Sequence, residues 1–210
     1  MLIDAEHPLV LGSGSPRRRE LISALDLPFR VLAADIDETR RPNEPALTYL
    51  TRIVDDKLRA VRARVGDAPH AAILVADTSV VVDGDVLGKP SDQGDAARLF
   101  SRLVGRAHQV YTRYAVGLPG ADGASVARTV GTHVHVRAAS AAEVEAYAAT
   151  GEGLDKAGAY AVQGIGGFFI ERLDGSYSNV VGLPACELLL DLRALGLLDQ
   201  AAFQSARSSA

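Results

Sequence analysis

The chain has 210 residues, is 48% hydrophobic and 23% charged, and carries a formal net charge of −4. That length suits one domain with a sizeable core, and the charge balance excludes a general positive field for nucleic acid or an anionic membrane. One cysteine excludes an internal disulfide framework, residues 1–8 lack a basic leader and no apolar run reaches the roughly 20 residues that span a bilayer, so a cytoplasmic protein is expected.

Leu9 to Gly12 reads as a short buried strand. Ser15 then caps a helix with Pro16 at its first position and Leu21, Ile22 and Leu25 on its apolar face. Phe29 to Ala33 reads as a second strand, followed by an acidic loop, Asp35-Ile36-Asp37-Glu38. Leu47, Leu50, Val54, Leu58, Val61 and Val65 recur at helical spacing and predict a helix over Ala46–Val65. The apolar run Ala71–Ala76 predicts a central strand ending at Asp77. Val80–Val82 and Val86–Leu87 flank Asp83-Gly84-Asp85 as a hairpin. Ser91 or Asp92 caps a helix running to about Val104. Val110–Leu118 and Val126–Val136 predict long antiparallel strands joined through Pro119 to Gly123. Ser140 and Glu143 have capping-box spacing and open a helix to about Thr150. A glycine-rich loop over 151–167, a strand over Phe168–Leu173 and a helix over Pro184–Leu195 complete the pattern. This is α/β with a mixed sheet and flanking helices, one domain over 1–198, and an Ala- and Ser-rich tail over 199–210 expected to fray.

The chain has 22 basic residues, of which only Lys57, Lys89 and Lys156 are lysine. So strong an arginine bias points to positions where a compact ammonium does what a planar guanidinium cannot. All three lie in segments that can carry chemistry. Ser13-Gly14-Ser15-Pro16-Arg17-Arg18, at a strand-to-helix turn, offers free amides, hydroxyls and guanidiniums to a phosphate. The same residues also suit an ordinary helix cap with solvated arginines, and no Walker A spacing is present. Asp77, at an expected strand end, can hold a divalent cation or take a proton, or else cap the turn Asp77-Thr78-Ser79. Lys89 sits on a stiff Gly-Lys-Pro loop, and Lys57 follows Asp55 and Asp56, which also permits a surface ion pair. The segment Gly151-Glu152 with Asp155 to Gly164 holds charged and amide groups on a loop too rich in glycine for a packing role. Gln163 there can use donor and acceptor together against a flat ligand. His133 and His135 share a strand face, as polar alternation or as a metal pair. His108 is expected to serve the turn before Val110, and Cys186 to be a small buried hydrophobe.

Taken in order, eight segments resemble the Maf family of nucleotide pyrophosphatases: Ser13 to Arg18, Asp37-Glu38, Lys57, Ala76-Asp77-Thr78, Gly88-Lys89-Pro90, Gly105 to Thr112, Asp155 to Gly164, and Ser178 to Pro184. The resemblance runs from about Leu9 to Leu197. It implies two lobes around a central nucleotide-binding cleft, a homodimer, and hydrolysis of a nucleoside triphosphate between its α- and β-phosphates. Asp77 would be the general base for a metal-activated water. Glu38 and Asp77 would hold a divalent cation, Mg²⁺ or Mn²⁺, while Ser13, Arg18, Lys57, Lys89 and Lys156 would line the phosphate site. At the three positions where two family branches differ, Arg17, Thr78 and Gln163 resemble the dTTP/UTP branch; the branch acting on 7-methyl-GTP has Trp, Gln and Glu. An amide matches the adjacent carbonyl and N–H of uracil or thymine, while a carboxylate suits the two donors of guanine. A nucleotide-responsive regulator of cell division and a purine-preferring house-cleaning enzyme are the rival expectations. Gly12, Gly153 and Arg113 depart from the usual Ala, Pro and Gly.

Overall fold

The computed structural model describes residues 2–198, so the expected tail and its boundary lie outside the described residues. Seven strands, β1 (Leu9–Leu11), β2 (Phe29–Val31), β3 (Ala72–Val82), β4 (Asp85–Leu87), β5 (Ala107–Gly117), β6 (Val126–Val136) and β7 (Ile170–Asp174), form one sheet. Its order is β2-β1-β3-β5-β6-β7, with β4 paired to β3 off that path. β1 is parallel to β2 and β3, and every other pairing is antiparallel. Among the described residues, six α-helices accompany it: α1 (Pro16–Ser23), α2 (Ala46–Val65), α3 (Gln93–Ser101), α4 (Ala141–Ala149), α5 (Tyr177–Val181) and α6 (Ala185–Ala194).

Local chemistry sets the helix starts. Ser15 accepts the Arg18 amide with Pro16 at the first helical position, Asp92 accepts from Asp95, and Ser140 and Glu143 cap each other reciprocally. α2 buries Leu50 and Ile53, and packs Val54, Leu58, Val61 and Val65 against Val10, Ile73, Val75 and Ala115. Each such side chain contributes about 1.5–3 kcal/mol on burial. Lys57 lies in the same buried stripe, so its charge requires a partner. On the opposite sheet face, Ile22 of α1 and Leu188 and Leu192 of α6 pack on Leu9, Leu11, Leu74 and Ala76. A third cluster joins Val80, Val82, Val110 and Val134 to Phe100 of α3 and Tyr147 of α4. The first two clusters make one lobe and the third the other.

β3 is longer than expected. The predicted strand end at Asp77 and the separate hairpin strand at Val80–Val82 are one 11-residue strand, with Asp77 at its middle. β5 pairs with β3 from Ile73 to Val81 along one edge. The other edge is taken by β1 at Ala72–Leu74 and by β4 at Val80–Val82. Residues 75–79 therefore have no strand neighbour on that side, and this gap is the floor of the cleft between the lobes.

Other expectations resolve as follows. Cys186 is exposed, not buried: the apolar stripe of α6 runs through Leu188 and Leu192, and position 186 falls off it. His108 lies on β5, buried, with Nε2 2.7 Å from the Tyr160 hydroxyl; burial pulls its pKa down to about 4, so the imidazole is neutral. His133 and His135 share a face as expected but pair with Gln109 and Asp174, and no metal-binding group of three such residues occurs among the described residues. Arg113 extends away from the cleft to Thr129 Oγ1 at 3.0 Å. At Gly12 a Cβ would press on Val75 and Val61 at 2.7 and 2.8 Å, and at Gly153 it would strike the Ala159 carbonyl. The chain has therefore packed around glycine at both departures.

Candidate active site

The cleft has a volume of about 670 Å³, and every residue expected to bind substrate or metal lines it: Ser13, Arg17, Arg18, Glu38, Lys57, Asp77, Thr78, Lys89, Lys156 and Gln163. The two strands that stop short at the gap supply its walls. β1 turns away into Ser13-Gly14 and α1 on one side, and β4 leads into Gly88-Lys89 on the other.

Alternation along β3 sends Asp77 and Thr78 to opposite faces. Asp77 points toward α2, where Lys57 Nζ donates to its Oδ1 at 2.7 Å. The same ammonium lies 2.8 Å from Glu38 Oε1, so it bridges two carboxylates. Lys57 and Asp77 side chains are 8% and 12% exposed, which makes this a buried pair and rules out the surface ion pair that Asp55 and Asp56 allowed. Asp77 Oδ2 accepts no hydrogen bond among the described residues and borders the cleft. Glu38 and Asp77 thus meet at one ammonium, and two carboxylates are hard oxygen donors of the kind that could hold Mg²⁺ or Mn²⁺ with phosphate oxygens and water.

Thr78 points the other way, into a hydrogen-bonded brace. Arg18 donates to Thr78 Oγ1 at 3.0 Å, to Ser13 Oγ at 3.1 Å and to the Gly182 carbonyl at 2.7 Å. Burial pulls the guanidinium below its ordinary value while Asp77 pulls it back up. Arg18 thus spends three donors tying α1, β3 and α5 together, and brings its positive charge to the cleft with only part of its fork free. Thr78 Oγ1 also meets Thr112 Oγ1 at 2.9 Å.

The remaining groups are looser. Lys89 is exposed and makes no hydrogen bond or ion pair among the described residues, which leaves its ammonium free to meet an anion. Lys156 Nζ contacts Asp155 Oδ1 at 2.5 Å, and Arg17 Nη1 reaches Asp155 Oδ2 at 3.1 Å, joining α1 to the glycine-rich loop across the mouth. Gln163 is exposed and its side chain has no partner among the described residues.

Sequence reasoning missed Tyr49. Its hydroxyl donates to the Glu38 carbonyl at 3.1 Å, and burial, with Asp77 and Glu38 nearby, pushes its pKa up to about 12. It sits two turns before Lys57 on the same helix face, a spacing that could have marked it.

The family model described as Maf-like protein matches residues 8–195. Among curated relatives, the chain is 47% identical over 189 residues to a dTTP/UTP pyrophosphatase of Hahella chejuensis, covering 90% of this chain and 92% of that protein. It is 48% identical over 189 residues to a dTTP/UTP pyrophosphatase of Myxococcus xanthus, covering 90% and 93%. Among solved structures it is similar to the Staphylococcus aureus Ham1 protein at 12% identity and a TM-score of 0.38, over 61% of this chain and 71% of that one.

Proposed function

This chain belongs to the Maf-like protein family, and on that premise we propose that it hydrolyses dTTP and UTP, and modified pyrimidine nucleotides of the same shape, to the monophosphate and pyrophosphate. The observation that carries the proposal is the gap beside β3, between its pairings with β1 and β4. It presents one carboxylate with an unbonded oxygen at the meeting point of five basic side chains, Arg17, Arg18, Lys57, Lys89 and Lys156. A triphosphate carries about four negative charges, and a chain of net charge −4 can hold it only by such local concentration.

In this reading Lys89, Lys156 and Arg17 bind the phosphates, with Lys156 and Arg17 exchanging Asp155 for substrate oxygens. Ser13 and the turn amides bind further phosphate oxygen, and Arg18 supplies charge from below. Water attacks the α-phosphorus, Asp77 Oδ2 takes its proton, and pyrophosphate departs. Lys57 keeps the Asp77 side chain aimed, because its ammonium contacts both carboxylates. Glu38 and Asp77 would hold a divalent cation, which when bound neutralises phosphate charge and acidifies water. An unassisted aspartate, with an ordinary pKa of about 3.9, is otherwise a weak base. The proposal extends to a homodimer in the cytoplasm, as the family resemblance implies; no helix among the described residues is long and apolar enough to cross a membrane.

The test is pyrophosphate release from a panel of nucleoside triphosphates with Mg²⁺, with Mn²⁺ and with EDTA. Release from UTP and dTTP that EDTA abolishes supports the reading; binding without turnover overturns it in favour of a regulator.

Base choice has its own test. Gln163 would donate to a pyrimidine carbonyl and accept from N3–H. Gln163→Glu sets a carboxylate against that carbonyl. An unsatisfied buried polar group costs on the order of 1–3 kcal/mol, so kcat/KM for dTTP and UTP should fall about 5- to 150-fold. GTP should lose less. Equal losses on all three would show that Gln163 shapes the loop without reading the base.

A further inference from the structure

The loop that brings Lys156 and Gln163 to the cleft turns at Gly151, Gly158 and Gly164, all with positive φ. So much glycine makes a loop easy to bend, and its fixed shape needs an external cause. That cause is one side chain outside the cleft wall. Glu152 Oε1 accepts the Ile165 amide at 2.9 Å, and Oε2 accepts the Gly166 amide at 2.7 Å and the Tyr147 hydroxyl at 2.8 Å. The Tyr147 oxygen in turn accepts the Ala161 amide at 3.1 Å. The Glu152 carbonyl accepts from Lys156 Nζ at 2.5 Å. Gly164 sits so close over the carboxylate that a Cβ there would collide with Oε1.

These bonds bracket Gln163, with Ala161 tied behind it and Ile165 and Gly166 ahead. The clamp is anchored in the second lobe, where Tyr147 is 3% exposed and packs on the rings of Phe100 and Phe169. Burial works against the charge on Glu152, but the Gly166 and Ile165 amides, Tyr147 and Lys156 outweigh it and hold the carboxyl below its usual range. The Gln163 side chain has no partner among the described residues, so its aim is set by its backbone, and reading a base edge requires that aim to within about 0.5 Å.

We infer that Glu152 is a positioning residue for base selection: with Tyr147 it locks the loop so that Gln163 meets the base while Lys156 meets the phosphates. The inference rests on the nucleotide-hydrolysis reading above. Glu152 is not among the residues lining the cleft, and Asp77 and Lys57 lie on β3 and α2, so its loss acts on recognition ahead of chemistry.

Glu152→Gln keeps the volume but replaces one carboxylate oxygen by an amide NH₂, which cannot accept from the Ile165 and Gly166 amides or the Tyr147 hydroxyl. The measurement is kcat and KM for UTP, dTTP and GTP in the wild type, Glu152→Gln and Tyr147→Phe, with thermal unfolding of each. The expected result is a rise of about tenfold or more in KM for UTP and dTTP in Glu152→Gln, with kcat changed less than about threefold, because lost hydrogen-bond positioning weakens discrimination between bases. The UTP-to-GTP ratio of kcat/KM should fall accordingly, and Tyr147→Phe should shift it the same way by less. A folded Glu152→Gln that keeps the wild-type ratio overturns the inference. Should Glu152→Gln not fold, Tyr147→Phe decides: a shifted ratio sustains it and an unchanged one overturns it. A wild type that releases no pyrophosphate from any nucleotide removes the proposed function and this inference together, whereas a pyrimidine-selective wild type with equally selective variants removes this inference alone.

Discussion

Asp77→Asn should abolish most turnover, by at least the roughly 10²-fold that accompanies loss of a general base, with the fold unchanged. The asparagine oxygen can still accept from Lys57 where Oδ1 does now, at 2.7 Å. The other position becomes an NH₂ group, which cannot take a proton from water and offers no charge to a cation. Both effects fall on the chemical step, so kcat should drop and thermal stability should barely move. Pyrophosphate release within a few-fold of wild type would remove Asp77 from the mechanism.

Lys57→Met should be nearly as damaging to activity and, unlike the first, should also lower stability. Methionine fits the helix stripe but carries no charge. It leaves Asp77, 12% exposed, and Glu38, half exposed, facing the same point without the ammonium between them. Breaking a fully buried ion pair by deleting one partner costs about 3–5 kcal/mol, and the exposure of Glu38 reduces that here. Water can relieve one carboxylate, so a loss of about 1–3 kcal/mol is expected. Thermal unfolding and pyrophosphate release on one preparation check both halves. An active, stable Lys57→Met would mean the bridge is incidental.

Much of this architecture was legible beforehand because local and tertiary signals agreed. The 3.6-residue stripe from Leu47 to Val65 located α2, and Ser15, Asp92 and Ser140 marked helix starts that the structure uses. The scarcity of lysine pointed to three positions that all line the cleft. Two things were not legible. β3 carries a polar triplet, Asp77-Thr78-Ser79, that reads as a turn; it stays in the strand because β5 pairs it from behind while the cleft opens in front. α5, only five residues long, has no stability of its own. It exists because Ser176 caps it and Asn179 bonds the Val110 carbonyl and Thr132 across the sheet. Arg18 was read as a phosphate ligand, and its role as a brace depends on the Gly182 carbonyl, 164 residues away in sequence.

The continuity of β3 also governs how the molecule comes apart. Its 11 residues contribute to every apolar cluster: Ile73 and Val75 under α2, Leu74 and Ala76 under α1 and α6, Val80 and Val82 in the second lobe. Neither lobe can shed this strand and keep its own core, so the lobes are coupled in unfolding although a cleft divides them. The amide hydrogens near Asp77 that bond across to β5 should then exchange with solvent only when the whole sheet opens, at rates matching global unfolding. The β5-paired edge of the cleft floor is thereby among the last parts of the molecule to open, while its other edge lines the cleft.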